Sequence, residues 1–262
     1  MKKIIALALA LILTLTCFAA CGAKTPAADT DLAKIKANGK IIVGITEYAP
    51  MDFKDENGNW TGFDAEFAQL FAKELGVECE FYVIADWGKK FMELDTNSID
   101  AVWNGMTITD EAKANASVSN PYVINAQVVV MKADQLASFP DAESMKDLIF
   151  AVENGSAGQD AVAALGAPNT VPVQDQAAAL MEVAAGTSDA CVIDITMANA
   201  MTGEGTSYAD LGYAVSLTSE EYGVAFRKDS DLTAAFNDFM AKIIADGTLQ
   251  ALADKYNLTL AG

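Results

Sequence analysis

Strand-like and helix-like patterns alternate along this chain at the spacing of βα units, and that alternation makes it an α/β protein. Two further observations agree. Apolar residues make up 52% of the chain, enough to fill a core between sheets and helices, while 20% charged residues keep it clear of disorder. At 262 residues the length suits one large domain or two small ones, and no exact repeat, low-complexity tract or obvious linker divides it.

The elements follow in order. Residues 40–45 form a short β-branched run, and Asn57-Gly58 marks a turn. Asp64 can cap a helix that carries Phe67, Leu70, Phe71 and Leu75 at three- and four-residue steps and ends at Gly76. Residues 77–84 return as strand, Asp86 starts a helix with Phe91 and Leu94, and residues 99–102 make a third strand. Further strands are expected near 123–131, 149–152, 170–173, 189–193, 211–216 and 222–226, with helices near 157–165, 175–185 and 230–245.

Charge removes several functions. The formal net charge is −19, the pI is near 4.2, and Arg227 is the single arginine, so a phosphate backbone finds no basic surface and no nucleic-acid partner is expected. With no histidine, His-based acid/base catalysis, Ser-His-Asp triads and histidine-rich metal sites are excluded. No metal-ligand spacing is present and no cofactor is implied. Cys79 and Cys191 each sit in an apolar strand-like run and read as buried free thiols rather than a disulfide.

At the N-terminus, Met1, Lys2 and Lys3 precede an apolar run over residues 4–16, shorter than the roughly 20 residues of a spanning helix. Residues 1–20 are therefore expected to be a secretory signal. The run ends in Ala19-Ala20-Cys21-Gly22, which resembles a bacterial lipobox, in which Cys21 becomes the lipidated N-terminus. The alternative is cleavage at an Ala-x-Ala site, with Cys21 left as an ordinary thiol. Residues 21–30, rich in Ala, Thr and Pro, then read as a tether between lipid and folded body.

In α/β sheets small molecules bind beyond the carboxyl ends of the strands, which directs attention to three segments. These are Ile45-Thr46-Glu47-Tyr48, the stretch Trp103-Asn104-Gly105-Met106-Thr107-Ile108-Thr109, and Asp194 after Cys191-Val192-Ile193. Gly105 permits close backbone approach. Thr107 and Thr109 offer hydroxyls, although Thr109 equally suits a helix N-cap. Asp194 is placed either to pair with a ligand cation or to cap the next helix. Between strand and helix, Glu153-Asn154-Gly155-Ser156-Ala157-Gly158 offers free N–H groups to an anion, but lacks a Walker lysine and the full G-x-G-x-x-G spacing. Tyr48, Trp60 and Trp103 either wall an organic ligand or belong to the core. Asp52 and Asp55 read as solvated acidic surface.

Together, Gly39-Lys40-Ile41-Ile42-Val43-Gly44, Gly62-Phe63-Asp64, DAVWNGMTIT at 100–109, Ser119-Asn120-Pro121-Tyr122, SDACVID at 188–194, YGVAFRK at 222–228 and Asp246-Gly247-Thr248-Leu249 carry a resemblance. In this order they resemble the family-3 extracellular solute-binding proteins, the amino-acid receptors of bacterial ABC importers, over about residues 31–262. The resemblance implies the two-lobed, type II periplasmic-binding-protein fold, with residues 31–126 and 222–262 in the first lobe, 127–221 in the second, and two crossing strands beside a ligand cleft. Lobe closure on a small solute and delivery to a permease would follow, by a monomer anchored through its lipid outside the cell membrane and, where a second membrane exists, in the periplasm.

Carried over residue by residue, the Gly105 carbonyl, the Thr107 hydroxyl and the Asp194 carboxylate resemble the family's ammonium site. Ser156 and the N–H groups after it match the carboxylate contribution of the second lobe. Glu47, Tyr48 and Trp60 fall near the side-chain pocket. The main departure is Ala112, which stands where the family usually places a carboxylate-clamping arginine; Arg227 matches a different position. Two ligand classes follow: an amino acid whose carboxylate is held by Ser156, N–H groups near Gly158, and Asn104 or Lys113, or an amine or other cation without a free carboxylate, held by Asp194, Glu47 and aromatic walls. No covalent chemistry is expected; the enzymatic alternative is a dehydratase-like activity on the same fold, resting on Glu47, Asp52 or Asp194.

Overall fold

The computed structural model describes residues 29–262, so the expected signal, the lipidated Cys21 and most of the tether lie outside the described residues. The first lobe is built on β1 (Lys40–Ile45), whose residues pair in parallel with β4 (Glu78–Val83) on one side and β5 (Ala101–Val102) on the other. The run KIIVGI forms this central strand because its branched side chains bury on both faces of the sheet. β14 (Ala225–Phe226) and β6 (Ser117–Val118) complete the order β4-β1-β5-β14-β6, the last two pairings being antiparallel. A small hairpin, β2 (Phe53–Lys54) with β3 (Trp60–Thr61), encloses the Asn57-Gly58 turn.

The second lobe carries the order β10-β9-β11-β8-β12, from β8 (Gln127–Lys132), β9 (Phe150–Glu153), β10 (Thr170–Val173), β11 (Ala190–Asp194) and β12 (Leu211–Ser216). β9, β10 and β11 run parallel, while β8 and β12 pair antiparallel within the same sheet. Between the sheets, β7 (Val123–Asn125) and β13 (Glu220–Tyr222) cross side by side as an antiparallel pair. A C-terminal segment joins them: Ile124 N–H donates to Thr259 at 2.9 Å and Ala261 N–H to Tyr122 at 3.0 Å.

Helices cover the sheets: α1 (Asp31–Asn38), α2 (Phe63–Leu75), α3 (Lys90–Asp95), α4 (Asp110–Asn115), α5 (Ala157–Leu165), α6 (Gln176–Ala185), α7 (Ile195–Met201), α8 (Leu232–Ala245) and α9 (Thr248–Lys255). The first lobe's core is aromatic. Trp103, fully buried, meets the Phe67 ring at 4.9 Å and the Phe236 ring at 4.9 Å, so α2 and the C-terminal α8 clasp one indole.

Some details depart from the sequence reading. α2 begins at Phe63 rather than Asp64, and the Asp64 carboxylate turns inward instead of capping. Asp86 caps a 3-10 turn, Trp87–Lys89, ahead of α3. The expected strand at 123–131 is two strands, because the chain changes lobes at Ala126. Asp55 is partly exposed and accepts from Asn57 and Asn59, but Asp52 is wholly buried, so it is no part of an acidic surface. Cys79 and Cys191 stand as separate thiols on different sheets.

Candidate functional site

The strand ends converge on a cavity between the lobes. From the first lobe come Trp87, Lys90, Asn104, Gly105, Met106, Thr107, Thr109, Glu111 and Ala112; from the second come Gln127, Glu153, Gly155, Ser156, Ala157, Asp160, Gln176 and Asp194. The placement follows from topology, since Gly105 follows β5, Ser156 follows β9 and Asp194 ends β11.

On the first lobe, Asn104 ties two strand ends together, accepting from Thr46 N–H at 2.8 Å and donating to the Thr46 hydroxyl at 2.7 Å. Gly105 has φ +55°, and a Cβ there would stand 2.6 Å from the Tyr48 ring, so the position requires glycine. Its N–H donates to Asp64 at 2.5 Å, and Tyr122 donates to the same carboxylate oxygen at 2.8 Å. Burial nevertheless raises the Asp64 carboxyl to about 7, only partly opposed by these donors. The Thr109 hydroxyl is an N-cap, accepting from Ala112 N–H at 3.0 Å.

Asp194 is buried, and its carboxylate is not a helix cap. It accepts from the side-chain amides of Asn125, Gln176 and Gln127, the last at 2.7 Å. The same Asn125 and Gln127 amides also donate to Glu220 Oε1, each at 2.7 Å, and the Thr107 hydroxyl donates to that oxygen at 2.8 Å. Two carboxylates thus share one set of donors. Burial first, and then the charge of Glu220, push the Asp194 carboxyl up to about 6. A ligand cation here would relieve both effects.

On the same lobe as Asp194, Ser156 caps α5 through its hydroxyl, which accepts from Gln159 N–H at 3.2 Å. The first-turn N–H groups after it are those that a helix leaves without intrahelical partners, and they favour an anion. Glu153 is buried at the base, with its carboxyl raised well above the usual range by burial and by the charges of Asp194 and Asp175. Lys90 is buried opposite, its ammonium lowered by burial.

The lobes touch beyond the cavity. Asn154 donates to Asp86 at 3.0 Å, and Lys90 donates to the Gly155 carbonyl at 3.0 Å. Gly155 (φ +71°) meets Gly88 so closely that a Cβ on it would stand 2.4 Å from the Gly88 Cα. The Tyr48 hydroxyl is 2.5 Å from Thr196 and 2.6 Å from Tyr222, joining both lobes to a crossing strand.

Of the residues singled out from sequence, Asn104, Gly105, Thr107, Ser156 and Asp194 line this cavity. Four do not. Trp103 is committed to the core by Phe67, Phe71 and Phe236 and cannot wall a ligand. Trp60 packs on Phe81 beneath Lys54, along the outer face of α2. Glu47 is exposed outside the cavity, and Tyr48 backs Gly105 with its hydroxyl already engaged. Lys113, next to Ala112, is exposed and also lies outside it. Sequence reasoning missed Lys90, Gln127, Gln176 and Glu220, whose only signal is polarity at the ends of apolar runs.

A model of the bacterial extracellular solute-binding proteins, family 3, matches residues 41–259. The chain belongs to that family. The L-cystine-binding protein TcyJ of Escherichia coli K12 is 32% identical over 229 residues, covering 86% of this chain and 85% of its own. A mutant of ArgBP from T. maritima superposes with a TM-score of 0.80 at 32% identity, covering 86% of this chain and 98% of its own. The ancestral amino acid-binding protein AncCDT-1, described as a precursor of cyclohexadienyl dehydratase, superposes at 0.78 with 32% identity, covering 86% and 98%. Among the described residues no helix is long and apolar enough to cross a membrane.

Proposed function

We propose that this family member is the receptor of an ABC importer, which takes an amino acid between its lobes, closes on it and presents it to a permease. The observation that carries this reading is the polarity of the cleft. A buried carboxylate, Asp194 beside Glu220, and the capped N-terminus of α5 at Ser156 both line one small cavity from the second lobe. An α-amino acid has the matching ammonium and carboxylate. The names of the relatives, which bind cystine and arginine, support that solute class.

The cavity holds about 30 Å³ of space for water centres, against roughly 10–15 Å³ for one water. Entry of an amino acid therefore requires the lobes to part at β7 and β13, and closure then excludes water around the charges. Binding proceeds without turnover in this reading, by a monomer tethered through lipidated Cys21 to the outer face of the membrane. The amine alternative draws on Ala112 and on a cavity that holds the carboxylates Glu111, Glu153, Asp160 and Asp194 against one lysine.

The test is a thermal-shift panel on the full chain freed of co-purified solute, with the twenty common L-amino acids and L-cystine, followed by mass spectrometry of the recovered solute. Ligand at a hundred times its dissociation constant adds about 2.7 kcal/mol of stability. One or a few amino acids should raise the melting temperature and be recovered intact. A solute recovered chemically altered would move the protein to the dehydratase-like class, and no shift with any of them would refute the reading.

A further inference from the structure

We propose that Lys90 is the anchor for the ligand's carboxylate, standing in for the guanidinium that Ala112 lacks. The inference rests on the amino-acid reading above and commits it to solutes with a free carboxylate.

Lys90 is 6% exposed and, among the described residues, is the one cation lining the cleft cavity. Its ammonium donates to two backbone carbonyls, Gly155 at 3.0 Å and Trp87 at 3.4 Å, and lies 5.1 Å from the Trp87 ring and 5.0 Å from that of Phe91. Among the ion pairs of the described residues none includes Lys90, although the chain is strongly acidic. Its direct partners are neutral, and the carboxylates whose charge it feels, Glu111, Glu153, Asp160 and Asp86, make no ion pair with it, so an arriving anion supplies the contact charge that a buried ammonium lacks.

The place is also right. The carbonyl that Lys90 meets belongs to Gly155, one residue before the Ser156 N-cap, so the ammonium and the first-turn N–H groups of α5 share one corner of the cavity. Ala112 packs in the same apolar cluster as the Trp87 and Phe91 rings that carry the ammonium. Lys113 is exposed outside the cavity, and two further cations are paired elsewhere. Arg227 pairs with Asp31 at 3.0 Å and Asp100 at 2.9 Å, and Lys89 pairs with Asp86 at 3.0 Å. Asp194 and Lys90 then fix the two ends of a zwitterion.

Lys90 also bridges the lobes through Gly155, so the test must separate a carboxylate anchor from a simple latch. Calorimetry on the solute-free full chain would compare wild type, Lys90→Met and Lys90→Arg, using the common L-amino acids, L-cystine and the α-carboxamide of each binder. Wild type should prefer an amino acid to its carboxamide. Lys90→Met should weaken the amino acid roughly 10- to 100-fold and erase that preference, while Lys90→Arg keeps it. The unliganded Lys90→Met protein should melt no lower than wild type, since the buried charge it loses sits in no ion pair. Equal weakening of acid and amide would make Lys90 a latch and overturn the proposal; unchanged affinity would overturn it and leave the amino-acid reading standing. Preference of the wild type for amines or amides, or binding of nothing in the panel, would overturn both.

Discussion

At Asp194, burial and a neighbouring carboxylate act against ionisation, and in the function proposed above a bound ammonium would reverse the balance. Asp194→Asn is therefore expected to weaken solute binding at least about 100-fold, from loss of a charge-assisted contact in a dry site, with an unchanged circular dichroism spectrum and no fall in melting temperature. The pH dependence has a definite sign. Asp194, at about 6 in the fold against 3.8 as a free side chain, and Asp64, at about 7, take up protons in the folded state first. Asp52 and Glu153 are raised in the same direction by burial. Stability of the unliganded protein should thus rise as pH falls from 8 to 5. Acids held below their usual range by partners, such as Asp31, Glu66 and Asp86, lose their contribution only at lower pH. Solute affinity should run the other way, falling about tenfold per unit below pH 6 as Asp194 protonates. A melting temperature higher at pH 8 than at pH 5 would contradict this assignment. Asp194 was legible in the sequence as a carboxylate closing an apolar run. Glu220 and Lys90 were not, because Lys90 reaches the cavity, and Glu220 the amides that hold Asp194, from segments far apart in the chain that only the fold brings together.

Among the elements, α8 matters most for the first lobe. Phe236 lies 5.3 Å from Phe67, 5.3 Å from Phe71 and 4.9 Å from Trp103, ring to ring. Phe236→Ala should cost about 3–5 kcal/mol in urea unfolding, while the surviving folded protein keeps its solute affinity. At the lobe contact, Gly155→Ala places a methyl against Gly88 only when the lobes are shut, whereas the strain of its positive φ applies whether they are open or shut. Affinity should drop by tenfold or more, beyond any change in unliganded stability. The longer elements were legible because β1 and α2 declare themselves through local periodicity. The strands expected at 99–102 and 222–226 are present, but as the two-residue β5 and, for the second, as β13 and β14 split at Gly223; their pairing, Val102 with Ala225, joins distant segments and was not legible. α1 buries only Ile35 and offers little apolar stripe to read.

For the whole molecule, two sheets are joined by β7 and β13, with the polar cavity between them. The two-lobed architecture was legible through the motif order, but the departures within it, Trp103 turned to the core and Lys90 turned to the cleft, depend on packing across elements. The central claim is that the solute binds between the lobes and draws them together. Small-angle X-ray scattering on the solute-free full chain, titrated with the amino acid that stabilises it most, tests this directly. The expected result is a radius of gyration that falls and saturates with occupancy, and does not fall in Asp194→Asn. Saturable binding with an unchanged radius would place the solute outside the cleft and contradict the account.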